Sequence, residues 1–310
     1  MLKKTVAVLI APFLLSACIT SPTGRSQFIF MPDAQINQMG LQAFDTLKKE
    51  KPVSNNSQYN QVANCISQAI IKELGGNWEV VVFEDKSPNA FALPGNKIGI
   101  YTGMITLVDN QDQLATVIGH EVGHVLAKHS NERASQEMAV NQGLAVIQAM
   151  GSPQSALGQT AFGLLGVGAQ YGILMPYSRI QESEADIIGV DLMAKAGFDP
   201  RQSVGLWQKM EQASQGRQPI EFLSTHPAHA TRIQNLEQHI PQAMDFYQQA
   251  QASGKHPECS KPWATDDQIP FYSEKRVWWA HLTKHLLPSS LFSQAKERIF
   301  INCGRRSNDS

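Results

Sequence analysis

The sequence predicts an α+β fold that is mainly helical, with a small β-sheet. Three observations lead there: apolar residues recur at helical spacing over several long segments, short β-branched runs sit together around residues 78 to 105, and Gly or Pro punctuates the junctions. The chain has 310 residues, 42% of them hydrophobic, enough for one good-sized core, and its formal charge of −1 gives no reason to expect nucleic acid as a partner.

Residues 1–17, "MLKKTVAVLIAPFLLSA", have the layout of a secretory signal: Lys3 and Lys4, an apolar run from Val6 to Leu15, then the small Ser16 and Ala17. That run is too short to span a bilayer well. With Cys18 included, "LSAC" resembles the lipobox of bacterial lipoproteins, in which cleavage leaves the cysteine as an acylated N-terminus. Several acyl chains on Cys18 would anchor the chain without a transmembrane helix; a plain signal peptide with a chance cysteine is the alternative. Ile19, rather than an aspartate, favours the periplasmic side of the outer membrane by resemblance to lipoprotein sorting.

Export implies an oxidising compartment, where Cys65, Cys259 and Cys303 remain after Cys18 is set aside. Three is odd, so one thiol stays free or pairs outside the chain. Cys65 borders the stripe Val62, Ile66, Ala69, Ile70 and suits a small buried thiol. Cys259 and Cys303 bracket the C-terminal tail and form the expected disulfide.

Residues 18–32 contain the polar stretch "TSPTGRSQF" and read as a lipidated N-terminus and linker. Helical periodicity runs from Asp33, the expected cap, to about Glu50, and again from about Ser57 to Leu74, where Gly75 and Gly76 stop it. "WEVVVFED" reads as a strand, and "NAFALPGNKIGIYTGMI" as two short strands around the turn Pro94, Gly95, Asn96. A helix follows from about Gln111. Met138 to Ser178 carries no charge, but its glutamines and Asn141 argue for a helical pair packed on the core or over a cleft rather than a membrane hairpin. Further helices are expected over about Arg179 to Ala196, from Asp199 with Pro200 in its first turn, and from "STHPAHATRIQNLEQHI". Residues 33–254 form the main domain. Residues 255–310 are a C-terminal extension whose Trp278, Trp279, Leu282 and Leu286 would rest on a membrane surface or pack on their own domain.

The chemistry begins at "GHEVGH". Four residues turn a helix by about 400°, so His120 and His124 lie on one face, about 40° apart, and offer two imidazoles to one metal ion. Glu121 then points toward the ion's open position as a general base. Gly119 and Gly123 leave room beside the site. His129, nine residues past His120, falls on the opposite face of a continuous helix, and no glycine intervenes to turn the chain, so it reads as a solvated or last-turn residue. The third ligand is sought in "SRIQESEAD". Glu182 completes a His, His, Glu set that leaves a fourth position for water, with Glu184 as the fallback. Asp186, one turn from Glu182, can accept the outer N–H of a ligating imidazole.

"HEVGH", "SRIQESEAD" and the upstream "NAFALPG" together resemble the HtpX, CAAX prenyl protease and Oma-type family of zinc metallopeptidases. "PTGRSQFIFMPDAQINQMG" and "STHPAHATRI" are similar to its exported single-domain bacterial lipoprotein members, the BepA and LoiP type, over about residues 22 to 252. The resemblance implies a gluzincin fold whose small sheet lines the active-site cleft, one Zn2+ per chain, and Glu182 as the third ligand.

On that reading zinc activates water and polarises the scissile carbonyl, while Glu121 moves the proton. His226, fixed before Pro227, is expected to stabilise the oxyanion or to fill the fourth position in a resting state; a simple capping role is the alternative. An extended peptide would add to the sheet edge near "NAFALPG". The expected function is a zinc endopeptidase acting on unfolded or misassembled envelope proteins, in contact with outer-membrane assembly machinery. A chaperone or assembly factor that uses the cleft to hold clients is the rival, and a lipoprotein with structural zinc the third reading.

Overall fold

The computed structural model describes residues 18–72, 74–149, 174–214, 220–227 and 230–259. Residues 1–17, expected to be a signal, Cys303, the tail tryptophans and residues 150–173 of the uncharged stretch lie outside the described residues.

The expected α+β, mainly helical architecture is what forms. Strand β1 (Cys18–Thr20) pairs antiparallel with β2 (Ser26–Phe28), so the stretch read as a polar linker is a hairpin. Helix α1 (Asp33–Glu50) follows, with Pro32 rather than Asp33 in the capping position. Helix α2 (Ser57–Ile71) is capped by Asn56, whose side chain accepts from the N–H groups of Gln58 and Tyr59.

Strands β3 (Glu79–Phe83), β4 (Ala90–Leu93) and β5 (Lys97–Tyr101) form a sheet in the order β3, β5, β4. β5 runs parallel to β3 and antiparallel to β4. The β4–β5 turn uses positive φ at Gly95 (85°) and Asn96 (61°), residue types that tolerate it. β4 is thereby left at the sheet edge.

After the short α3 (Thr102–Leu107) comes α4 (Gln111–Leu126), capped by the Asn110 side chain. α5 (His129–Ala149), α6 (Leu174–Lys195), α7 (Gln202–Ser214), α8 (Glu221–Thr225) and α9 (Ala230–Ala252) complete the domain. α7 starts after Asp199, whose carboxylate accepts instead from the Arg201 N–H in the preceding turn. α4 is buried along nearly its whole length, between β4 on one side and α6 on the other, and α9 covers α6. Ile118, Leu114, Val122 and Ile100 are shielded from solvent in this core. Among the described residues no helix is long and apolar enough to cross a membrane.

Gly119 and Gly123, expected to leave room beside the site, instead admit the backbone of α6. A Cβ on Gly119 would lie 2.6 Å from the Gly189 carbonyl oxygen, and one on Gly123 2.8 Å from that of Ala185. The close approach brings the acidic face of α6 against the two histidines.

The expected Cys259–Cys303 disulfide is corrected: Cys65 bonds to Cys259, with Cα atoms 5.6 Å apart. Cys65 is exposed, one position off the buried Val62, Ile66, Ile70 stripe, so it is not the small buried thiol the stripe suggested. The chain leaving α9 passes over this flank of α2 and delivers the partner, a return that no local pattern encodes.

Candidate metal centre and active site

His120 and His124 project from α4 one turn apart, their Nε2 atoms 3.1 Å from each other. α6 brings Glu182 to the same point, with carboxylate oxygens 3.3 Å from His120 Nε2 and 3.4 Å from His124 Nε2. His226, just after α8, places its Nδ1 3.2 Å from His120 Nε2 and 3.1 Å from Glu182 Oε2. One ligand atom from each of these four residues lies within 4.8 Å of the others.

These residues fit a metal ion. Donors bound to one tetrahedral ion at about 2.0–2.1 Å are spaced by about 3.3 Å, close to the separations found here. Asp186 Oδ1 sits 2.9 Å from His120 Nδ1, off the line of a good hydrogen bond but close enough for attraction, and an acceptor-only carboxylate keeps the proton on that nitrogen. In the neutral ring His120 Nε2 is then a bare lone pair aimed at other acceptors, an arrangement that a proton or a metal cation relieves. Charge agrees: buried Glu121, Glu182 and Asp186 face the buried guanidinium of Arg232, leaving two negative charges when all are ionised.

Protonation follows the same field. Burial alone would depress His120, but Asp186 and Glu182 outweigh it and raise the ring to about 9, so the site favours positive charge at this place. Burial and the neighbouring His120 push His124 well down. Burial opposes ionisation of Glu182, yet His120 and His226 hold it below the usual carboxylate range. Burial pushes Glu121 up, against the pull of His226 and His120.

Glu121 uses its two oxygens differently. Oε2 accepts the Ala92 N–H of the edge strand at 3.1 Å, while Oε1 is buried without a hydrogen-bond partner and lies 3.4 Å from His226 Nε2. One oxygen is anchored to β4, and the other stays available at the metal cluster. A cleft of about 300 Å³ opens there, lined by residues 89 to 93 together with Glu121, His124, Glu182 and His226. The sheet edge therefore borders the cluster.

The two acidic candidates separate cleanly. Glu184 points away from the cluster to the N-terminal hairpin, where Arg25 Nε donates to its Oε2 at 2.8 Å. His129 is not solvated, contrary to expectation. Lys128 adopts a left-handed conformation (φ 52°), α4 ends, and α5 restarts with His129 turned inward at 2% exposure. The helix is therefore not continuous past Lys128, and a non-glycine residue makes the break. His129 Nδ1 lies 2.8 Å from His124 Nδ1 and its Nε2 3.2 Å from Glu184 Oε2.

Arg232 of α9 was not singled out from sequence. It donates to Asp186 from Nε at 2.7 Å and from Nη2 at 2.8 Å, approaches Glu182 Oε2 at 3.1 Å, and lies 4.0 Å over the Trp207 ring. The only signal was its place in "HPAHATRI", six residues after His226.

Residues 52–240 match the model of peptidase family M48. The chain is 37% identical over 167 residues to the mitochondrial metalloendopeptidase OMA1 of Schizosaccharomyces pombe, covering 54% of this chain and 48% of that protein. It is 28% identical over 285 residues to human mitochondrial metalloendopeptidase OMA1, covering 86% of this chain and 51% of that one. It is 26% identical over 234 residues to the beta-barrel assembly-enhancing protease of Escherichia coli K12, covering 72% and 48%. The chain thus spans about half the length of the curated relatives it matches. The family match runs from just before α2 into α9 and takes in the sheet edge, both histidines of α4 and the acidic face of α6, so the chain belongs to peptidase family M48, a family of zinc-dependent metallopeptidases.

Proposed function

We propose that this chain is a zinc-dependent endopeptidase in which His120, His124 and Glu182 hold the metal. The observation that carries the reading is the convergence of these three, His120 and Glu182 buried and His124 partly so, beside Glu121, whose free Oε1 adjoins the cluster. Bound zinc supplies Lewis acidity, lowering the pKa of water to about 7 and polarising the scissile carbonyl.

The chain's own residues do the rest. Glu121 Oε1 takes the proton of the attacking water and passes it to the leaving amine, while the Ala92 N–H holds Oε2 and fixes the carboxylate's orientation. Asp186 keeps the His120 proton on the outer nitrogen, and Arg232 keeps Asp186 in place. β4 offers main-chain groups to an extended peptide, a mode that tolerates varied side chains and suits unfolded segments.

Among oxyanion stabiliser, fourth ligand and helix cap, the position of His226 supports the fourth ligand: Nδ1 lies with the other donor atoms. His226 must then withdraw before water and substrate enter, and His226→Ala raises cleavage at unchanged zinc content. A fall in cleavage instead assigns it to oxyanion stabilisation.

Cellular setting rests on the sequence. Acylation of Cys18 anchors the domain to the periplasmic side of the bacterial outer membrane, and its substrates are unfolded or misassembled envelope proteins. The likeness to a relative named for enhancing β-barrel assembly supports contact with that machinery. The test compares wild type with Glu121→Gln for zinc content and cleavage of an unfolded protein. Equal zinc with cleavage in wild type alone supports the reading. Equal, chelator-insensitive cleavage defeats it.

A further inference from the structure

We infer that His129 and Glu184 are positioning residues for the metal ligand His124, and that Arg25 and Thr23 of the N-terminal hairpin lock them in place. The inference rests on His124 being a ligand, as proposed above.

The chain of contacts starts at His124, whose Nε2 faces the metal cluster and whose Nδ1 lies 2.8 Å from His129 Nδ1. Only one proton fits between two nitrogens at that distance. On its other side His129 Nε2 meets Glu184 Oε2 at 3.2 Å. The Arg25 guanidinium, 2.8 Å from the same carboxylate, and the Thr23 hydroxyl, which donates to Oε1, keep Glu184 an acceptor. His129 therefore carries its proton on Nε2 and presents a lone pair at Nδ1. The proton between the rings belongs to His124 Nδ1, which leaves His124 Nε2 bare and aimed at the metal.

A carboxylate beside a ligating histidine does this work directly on His120, through Asp186. On His124 a second imidazole is interposed. The far end is fixed by the hairpin: Arg25 also grips Glu132 through Nη1 and Nη2 at 2.7 Å each, and Gln27 donates to the Ala127 carbonyl at 2.7 Å, next to the Lys128 break that turns His129 inward. Arg25 lies seven residues from Cys18, so the segment following the proposed lipid anchor also braces the metal centre.

The alternative is a buried histidine that merely fills space, and substitutions separate the two. The glutamine amide in His129→Gln can accept from His124 and donate to Glu184, whereas His129→Leu fills the volume and relays nothing. In the full chain, zinc affinity measured by competition with a chromophoric chelator falls about 10- to 100-fold in His129→Leu and stays within about threefold of wild type in His129→Gln, with unchanged far-ultraviolet circular dichroism. Arg25→Met weakens zinc in the same direction. Wild-type affinity in His129→Leu, or equal losses in the leucine and glutamine variants, overturns the inference. If His129→Leu does not fold, Glu184→Ala carries the same test: weakened zinc supports the relay and unchanged affinity overturns it. A wild-type chain that takes up no zinc overturns the site reading and this inference together, which distinguishes the two failures.

Discussion

Arg232 grips Asp186 with two hydrogen bonds, of 2.7 and 2.8 Å, in a part of the core where both side chains are almost fully shielded. The same guanidinium reaches Glu182, so one residue of α9 neutralises part of the charge that α6 presents to the cluster. Arg232→Met leaves two buried carboxylates without their cation, a loss of about 3–5 kcal/mol in the metal-free protein. Bound zinc offsets part of that loss. Thermal unfolding of both proteins, in chelator and in saturating zinc, checks this: the deficit is larger without metal, and equal deficits contradict it.

Gly189 sits where α6 crosses α4. A Cβ there would lie 2.6 Å from the His120 backbone nitrogen, and backbone cannot rotate away as a side chain can. Gly189→Ala therefore pushes the helices apart, destabilising the fold by about 1–3 kcal/mol and separating Glu182 from the histidines. Chemical denaturation and zinc affinity should both be affected. A stable variant with wild-type affinity would contradict the packing described.

The Cys65–Cys259 bond closes a loop of 194 residues around the whole site. The double variant Cys65→Ser, Cys259→Ser loses about 2–5 kcal/mol of stability. Peptide mapping without reduction links the peptides bearing Cys65 and Cys259, and a Cys259–Cys303 peptide contradicts the assignment.

Asp85 titrates in a way that shows in stability. Lys51, helped by the Ser87 hydroxyl and N–H, lowers its pKa from 3.8 to about 2. A depressed folded-state pKa adds stability above the unfolded value and loses it as pH falls through the folded one. Asp85→Asn is therefore less stable than wild type by less than about 1 kcal/mol above pH 4, the pair being solvent-screened. The gap closes as pH falls toward 2. Denaturation curves at several pH values measure it, and a gap independent of pH contradicts the assignment.

Much of the site was legible because it depends on local periodicity. The i, i+4 spacing of His120 and His124 on a helix, and of Glu182 and Asp186 on another, fixes which side chains share a face whatever surrounds them. The three strands were legible for the same reason. What the sequence hid depends on contacts between distant segments. Arg232, Cys259 and Arg25 act on partners 46, 194 and 159 residues away. His129 was misplaced for a different reason: a lysine at positive φ breaks the helix, and nothing in the letters "LAKH" announces it. The glycines of α4 look like open room beside the site until α6 is seen lying against them.

The most direct measurement is an anomalous difference map at the zinc absorption edge from crystals grown with zinc. The account predicts one peak per chain within about 2.0–2.2 Å of His120 Nε2, His124 Nε2 and a Glu182 oxygen, with His226 Nδ1 in the fourth position of the substrate-free site and Glu121 outside bonding distance. No peak at that point, or a peak coordinated by Glu184 and His129, would contradict it.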